Sequence, residues 1–267
     1  MRAYGSILRI RIINGLQYRA VALGDVVMRF FWALMEILAY DALFRMGGTG
    51  FSMTFSQTVS YVWMQQVVFI LFRVVTGDGE IYAAIREGAI AYELVRPVSL
   101  YGRWFTQSAA NRIAPTLLGG VPLLLIVPFI RGRYRLVFPS SAGRAMLFLF
   151  SCVLALGVVA AFAMLMYISL FYLTSQRGIR IIVTAVTHFL SGGLIPLNFF
   201  PDRVRTAVQM LPFASMRDMP LQIWCGTMTG AEAGRGLLLQ VFWLVILIMA
   251  GVVAMEHALK RVVVQGG

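Results

Sequence analysis

Lysine is almost missing from this chain. Of its 23 basic residues only Lys260 is a lysine, and Arg261 follows it. A phosphate-binding loop needs a lysine followed by Ser or Thr after a glycine-rich turn. The chain therefore has no Walker A site and is not by itself a P-loop ATPase. A Schiff-base or kinase-type lysine would also have to be Lys260, in a basic tail. The two cysteines, Cys152 and Cys225, are too few for a disulfide framework; a span separates them, and no disulfide is expected. Two histidines, His188 and His257, are too few for most metal sites, and none is expected. Charge is scarce as well: 13% of residues are charged and 60% apolar, with a mean hydropathy of +0.80. Soluble chains lie near a quarter charged and about half apolar, so a water-soluble single domain is excluded. In a chain this apolar, the net charge of +12 points to anionic lipid headgroups rather than nucleic acid.

What the chain does have is apolar length. A helix needs about 20 apolar residues to cross a bilayer core. The windows Met46–Phe72, Ala145–Thr174 and Gly236–Met255 carry no formal charge. Ile113–Ile130 is also free of charge but holds Pro115, Pro122 and Pro128, and reads as a kinked span. Ile181–Phe200 has only His188 as a titratable group, and Phe30–Phe44 is apolar apart from Glu36 and Asp41. Six spans follow, at 24–46, 52–73, 112–130, 145–174, 179–200 and 236–256. The first 20 residues hold four arginines and no continuous apolar run, so no signal peptide is expected. With both termini inside, 14 basic residues fall on the cytoplasmic side and 9 outside, a moderate bias for that orientation. The cluster Arg131, Arg133 and Arg135 fits it poorly, being assigned to an external loop.

Two connections are too long to be turns. The first opens with Gly77-Asp78-Gly79-Glu80, where Asp78 is placed to cap a helix and Glu80 lies in its first turn. Helical spacing then puts Ile81, Ile85, Ala89 and Tyr92 on one face with Gly88 beside them. Glu80 and Glu87 lie opposite, flanked by Arg86 and Glu93. Arg96-Pro97 ends the helix, because the residue before proline is pushed out of the α region. Such a helix lies on the membrane surface or docks a soluble partner. The second connection, 191–230, interleaves Gly192, Gly193, Pro196, Pro201, Pro212 and Pro220 with apolar residues such as Phe199 and Phe200. Breakers this frequent predict broken or re-entrant helices near the outer face, the alternative being a surface loop with much exposed apolar area.

The stretch from Asp78 to Arg103, DGEIYAAIREGAIAYELVRPVSLYGR, resembles the cytoplasmic loop of the ABC-2-type permeases. The match lies in Arg86-Glu87-Gly88 followed by Tyr92, Leu94, Arg96, Pro97 and Ser99. SGGLIPLNFFPDRVR at 191–205 and LPFASM at 211–216 are similar to the family's stretch between its fifth and sixth spans, and the motifs occur in order over nearly the whole chain. The resemblance implies an all-α integral membrane fold like that of the type V exporters. That fold has six transmembrane helices, both termini cytoplasmic, and an N-terminal interfacial helix over 1–22. Residues 79–95 would then be a coupling helix, with Glu80, Ile81, Ile85, Arg86, Glu87, Gly88, Tyr92, Glu93, Arg96 and Pro97 at the ATPase. Residues 201–230 would re-enter from outside and help close an exit. The resemblance also implies a cytoplasmic ABC ATPase partner that holds ATP and Mg, a second permease, and a place in the inner (cytoplasmic) membrane.

Ionisable residues within spans are functional candidates by default, at about 2.5–3.5 kcal/mol each on insertion scales. Here they are Glu36, Asp41 and His188. They line a seam between two permeases, or carry protons in a small secondary transporter. A non-transporting membrane scaffold is the third reading. The methionine clusters are read as flexible packing rather than a soft-metal path. Trp32, Trp63, Trp104, Trp224 and Trp243 include several expected at membrane interfaces.

Overall fold

The computed structural model describes residues 2–17, 19–46, 51–75, 79–86, 90, 93, 98–173 and 176–260. Most of these residues are helical, with no strand among them. In order the helices are α1 Arg2–Gly15, α2 Arg19–Arg45, α3 Phe55–Val67, α4 Gly79–Arg86, α5 Leu100–Ile126 and α6 Ala142–Ser169, then α7 Gln176–Leu190, α8 Asp202–Gln209, α9 Pro212–Met216, α10 Asp218–Cys225 and α11 Gly230–Leu259. Three segments are long and apolar enough to cross a membrane: Leu100–Phe129, Ala142–Ser169 and Gly230–Leu259.

Local sequence accounts for several helix starts. Thr54 accepts from the Gln57 backbone, and the Gln57 side chain accepts from the Thr54 backbone at 2.9 Å, a complete capping box for α3. Ser99 caps α5 by accepting from Gly102, and Ser141 caps α6 by accepting from Arg144. Both Pro115 and Pro122 lie inside α5, which remains one helix of 27 residues.

The charge-free window at 113 marks only the second half of α5. The helix begins at Leu100 and carries Arg112 in its interior with no exposure. Arg112 stays there because backbone acceptors surround it. Its Nε donates to the Arg73 carbonyl at 2.9 Å and its Nη2 to the Val74 carbonyl at 2.5 Å. Its Nη1 donates to the Ser108 hydroxyl at 2.6 Å. The arginine thus satisfies carbonyls where the chain leaves the region of α3 for α4.

Lipid tails are as apolar as Leu, so helices in a membrane associate through close packing rather than apolar transfer. One core joins α2, α3, α5, α6 and α10 around Ile37, Trp63, Met64, Leu123, Phe148 and Trp224. A second joins α4, α5, α6, α9 and α11 around Ile81, Trp104, Met164, Tyr167, Met216 and Leu247. Trp63 and Trp104 are therefore core residues rather than interface anchors: they are 0% and 1% exposed. The Trp63 indole donates to the Tyr134 carbonyl at 2.9 Å, and that of Trp104 to Glu93 Oε2 at 3.3 Å. The buried Met164, Met166 and Met216 fill gaps in the second core, as the packing reading expects. Outward faces are apolar too, with Val27, Phe31 and Met35 exposed on α2 and Leu238, Phe242 and Met249 on α11.

The tightest approach to another segment's backbone is at Gly120, where a Cβ would lie 2.2 Å from the Val67 carbonyl oxygen. No side chain fits there without parting α5 from α3. Gly120→Ala is expected to destabilise the purified protein by about 1–3 kcal/mol, the range for overpacking. Gly24→Ala, at a helical site with nothing within 4 Å of the added Cβ, is expected to be neutral or mildly stabilising. Thermal unfolding of the two variants in lipid nanodiscs distinguishes them, and equal melting temperatures would refute the contact.

Candidate functional site

The predicted breaks between 191 and 230 are present. α7 stops at Leu190, and Gly193 N donates back to the His188 carbonyl at 2.9 Å. Gly192 has φ +74°, a conformation that favours glycine, and a Cβ there would meet Tyr61 Oη at 2.7 Å. Gly193 has even less room: a Cβ would lie 1.8 Å from Arg217 Nη1 and 2.7 Å from His188 Nδ1. The chain continues through a short turn at Leu197–Phe199, which follows Pro196, into α8, which follows Pro201. Phe199 packs on Phe51 and Tyr40 at 4.5 and 5.3 Å between ring centres, and Phe200 on Phe189 at 5.5 Å. Pro212 opens α9, where its missing N–H leaves no helical bond unmade.

Around this break lies a buried polar cluster. Gln65 Nε2 donates to the Gly193 carbonyl at 3.2 Å. The Tyr61 hydroxyl lies 3.1 Å from the Gly192 carbonyl and 3.0 Å from Asp218 Oδ1, with one proton to share between them. Gln222 donates to Asp218 Oδ2. Beside them Arg217 is 4% exposed, and its Nε and Nη1 have no hydrogen-bond partner among the described residues. On α2, the half-buried Glu36 keeps one oxygen, Oε2, without a donor among the described residues. His188 lies in the field of the same arginine. The structure thus sets His188 beside Arg217, where both side chains crowd Gly193. It leaves donors and acceptors unmatched in a water-poor interior, where an unmade bond is expensive. Such a cluster can hold an anion or exchange partners as the helices move.

Asp41 belongs elsewhere. It pairs with Arg45 at 2.8 Å and with Arg133, and the Tyr134 hydroxyl donates to it at 3.1 Å. Arg133 also lies over the Phe55 ring at 4.5 Å. The arginine cluster that fitted the charge count poorly therefore includes the counter-ion of a buried aspartate. Glu36 takes neither Arg29 nor Arg45 as partner: Arg29 pairs with Asp25, and Arg45 with Asp41.

A third set of contacts lies around α4. Ile81 is buried and Ile85 half-buried, facing the second core. Glu80 pairs with Arg11 of α1 and accepts from Gln107 of α5 at 3.3 Å. Glu93 pairs with Arg103 and accepts from Trp104. Of the other residues expected on this helix, Glu87, Gly88, Tyr92, Arg96 and Pro97 lie outside the described residues, as does the Arg86 side chain.

A family model described as ABC-2 family transporter protein matches residues 30–266. The chain belongs to that family. It is a membrane permease of an ABC transporter, a class that works with an ABC ATPase. No curated protein matches the permease closely enough to count as a relative.

Sequence reasoning missed Tyr61, Gln65, Gln66, Arg217, Asp218 and Gln222. Their signal was faint but present: adjacent glutamines in a window without charge, and an Arg-Asp pair amid apolar residues.

If Glu36 and Arg217 compensate one another at longer range than an ion pair, Glu36→Gln and Arg217→Gln should each destabilise the permease, with a coupling of about 0.5–3 kcal/mol between them. The double variant should lose less than the sum. Additive losses in thermal or denaturant unfolding would refute the coupling. A pH effect is expected at α4. The Arg11 guanidinium hydrogen-bonded to Glu80 holds its carboxyl below the usual value of 4.5. The contact is complete above pH 4.5 and is lost as pH falls through the lowered value. Acid should therefore loosen α1 from α4, and Arg11→Gln should loosen it at neutral pH. Hydrogen exchange over 79–86 measures both effects.

Proposed function

We propose that this permease is one half of the membrane portion of an ATP-driven exporter in the cytoplasmic membrane. Six crossings are made by α2, the segment 52–73, α5, α6, the segment 179–200 and α11, with both termini in the cytoplasm. A second permease, identical or paralogous, completes the pathway at a seam, and 201–230 re-enters from outside beside the exit. Residues 79–95 form the coupling helix in a cleft of a separate cytoplasmic ABC ATPase, which binds ATP and Mg. This chain binds neither and has no ATPase site of its own.

The observation that carries the reading is how the start of the proposed coupling segment is tied to the bundle. Arg112 holds the carbonyls of Arg73 and Val74, Glu80 is bonded to α1 and α5, and Glu93 is bonded to Arg103 and Trp104. A push on α4 would reach α1 and α5 through charge-assisted bonds, which are about twice as strong as neutral ones. The same long helix, α5, lies against α3, whose Tyr61 and Gln65 support the break at Gly192 and Gly193. ATP closure of the partner could thereby bias the outer segment, to the extent that ATP binds one conformation better than the other.

Proton coupling through Glu36, Asp41 and His188 draws less support, because Asp41 is neutralised by Arg45 and Arg133, apart from the Arg217 cluster. Two measurements test the exporter reading. Cysteines at Gly50 and Ser140 should react with an impermeant thiol reagent from outside, and one at Gly88 only from inside. Gly88→Trp permease, normalised to folded protein, should lose the co-purifying ATPase and ATP-driven transport, while Gly88→Ala should be mild. Gradient-driven transport without ATP would sink the assignment, and labelling of Ser140 only from the cytoplasm would overturn the six-crossing topology.

A further inference from the structure

A groove of about 970 Å³ opens between α7 and the chain at 73–75. Arg73, Arg177 and Arg180 line it, with Ile181, Phe189 and Leu194 as its apolar surface, and no acidic residue lines it among the described residues. A smaller cavity of about 210 Å³ shares Arg73, Thr184 and His188 with the groove and ends on Arg217. Two of the guanidinium groups are held in place by aromatic faces: Arg180 lies 5.3 Å from the Tyr82 ring centre, and Arg73 lies 5.6 Å from that of Phe69. At the inner end, Arg217 is nine-tenths buried or more and presents Nε and Nη1 with no partner among the described residues.

Guanidinium groups match carboxylate and phosphate oxygens with paired donors, and their attraction grows where water is excluded. An apolar surface beside them suits hydrocarbon. A polycation would be repelled, and a neutral sugar would make no use of the charge on Arg177 and Arg180. We propose that this groove binds an anionic amphiphile. Its acidic headgroup lies against Arg73, Arg177 and Arg180, its acyl chain lies along Ile181, Phe189 and Leu194, and the inner cavity leads its acidic oxygens toward Arg217. Only the question of whether the amphiphile is cargo or a resident lipid rests on the exporter reading.

The test uses full-length permease without its ATPase, in phosphatidylcholine nanodiscs. The probe is phosphatidylglycerol with a photoactivatable diazirine on its acyl chain, and the control is phosphatidylcholine with the same chain. Phosphatidylglycerol should label peptides from 177–194 well above the control. Arg177→Gln with Arg180→Gln, both at exposed positions, should lower labelling about 25-fold, at roughly fivefold per arginine near an anionic group. Leu194→Trp fills the apolar wall without changing charge and should also lower it. Adding the ATPase and ATP then separates the two sources. Loss of label during turnover identifies cargo and retention identifies a resident lipid, and both uphold the site. Equal labelling by the two lipids, labelling unchanged in both variants, or cross-linking of 181–194 to a second permease in place of lipid would overturn it. Intact labelling without ATP-driven transport would sink the exporter reading and leave the groove assigned.

Discussion

A buried interior offers no water to a broken helix, so the carbonyls freed where the chain turns at Gly192 and Gly193 must be met by protein. Tyr61 and Gln65 meet them. Both side chains come from α3, a helix buried from Thr58 to Val67 and hence unusable as a lipid-facing wall. Its polar residues are tolerated because they serve the break, and the break is tolerated because they are there. Asp218 joins the arrangement through Tyr61 and Gln222, which fixes α10 to α3. The dependence runs outward from there: α3 must sit close enough to reach Gly193, and α5 must yield room for it, which Gly120 does.

Much of this was legible in the sequence, and what was not has a common cause. The uniformly apolar runs in α6 and α11 need no partner to be recognised, and the spacing of glycine and proline announced the breaks after Leu190. The misreadings involve charge. Arg112 set the edge of a predicted span because a window of residues treats every arginine as wet, whereas this one is dry and bound to the carbonyls of Arg73 and Val74. Arg217, amid the breaks after Leu190, is dry as well. Asp41, an ionisable candidate within a span, has its counter-ion in Arg133, 92 positions away. Hydrophobic period is local information, but the partner of a buried charge is chosen by tertiary contact.

The three polar clusters divide the work by place. Near the end of α2, Asp41 with Arg45, Arg133 and Tyr134 is nearly saturated with partners, which suits a fixed joint. Around α4, carboxylates bridge separate helices and are partly exposed, which suits contacts made and remade against a soluble surface. Arg217 and His188 beside Gly193 are the least satisfied, and the groove beside α7 leads to them. Saturated networks specify one structure, whereas partly satisfied ones leave free energy to be gained from a ligand or a new arrangement.

The near-contact of backbones at Gly120 and Val67 has a mechanical meaning. Interdigitated side chains can slide by changing rotamers, but a carbonyl against a bare Cα has no rotamer to change. That point is a fulcrum. Helices α3 and α5 can pivot about it but cannot slip along one another there, so displacement grows with distance on either side. One arm extends to Tyr61 and the Gly192 turn, and the other to Arg112 and the chain at 73–75. A small rotation begun at one end is therefore delivered, reversed in direction, at the other.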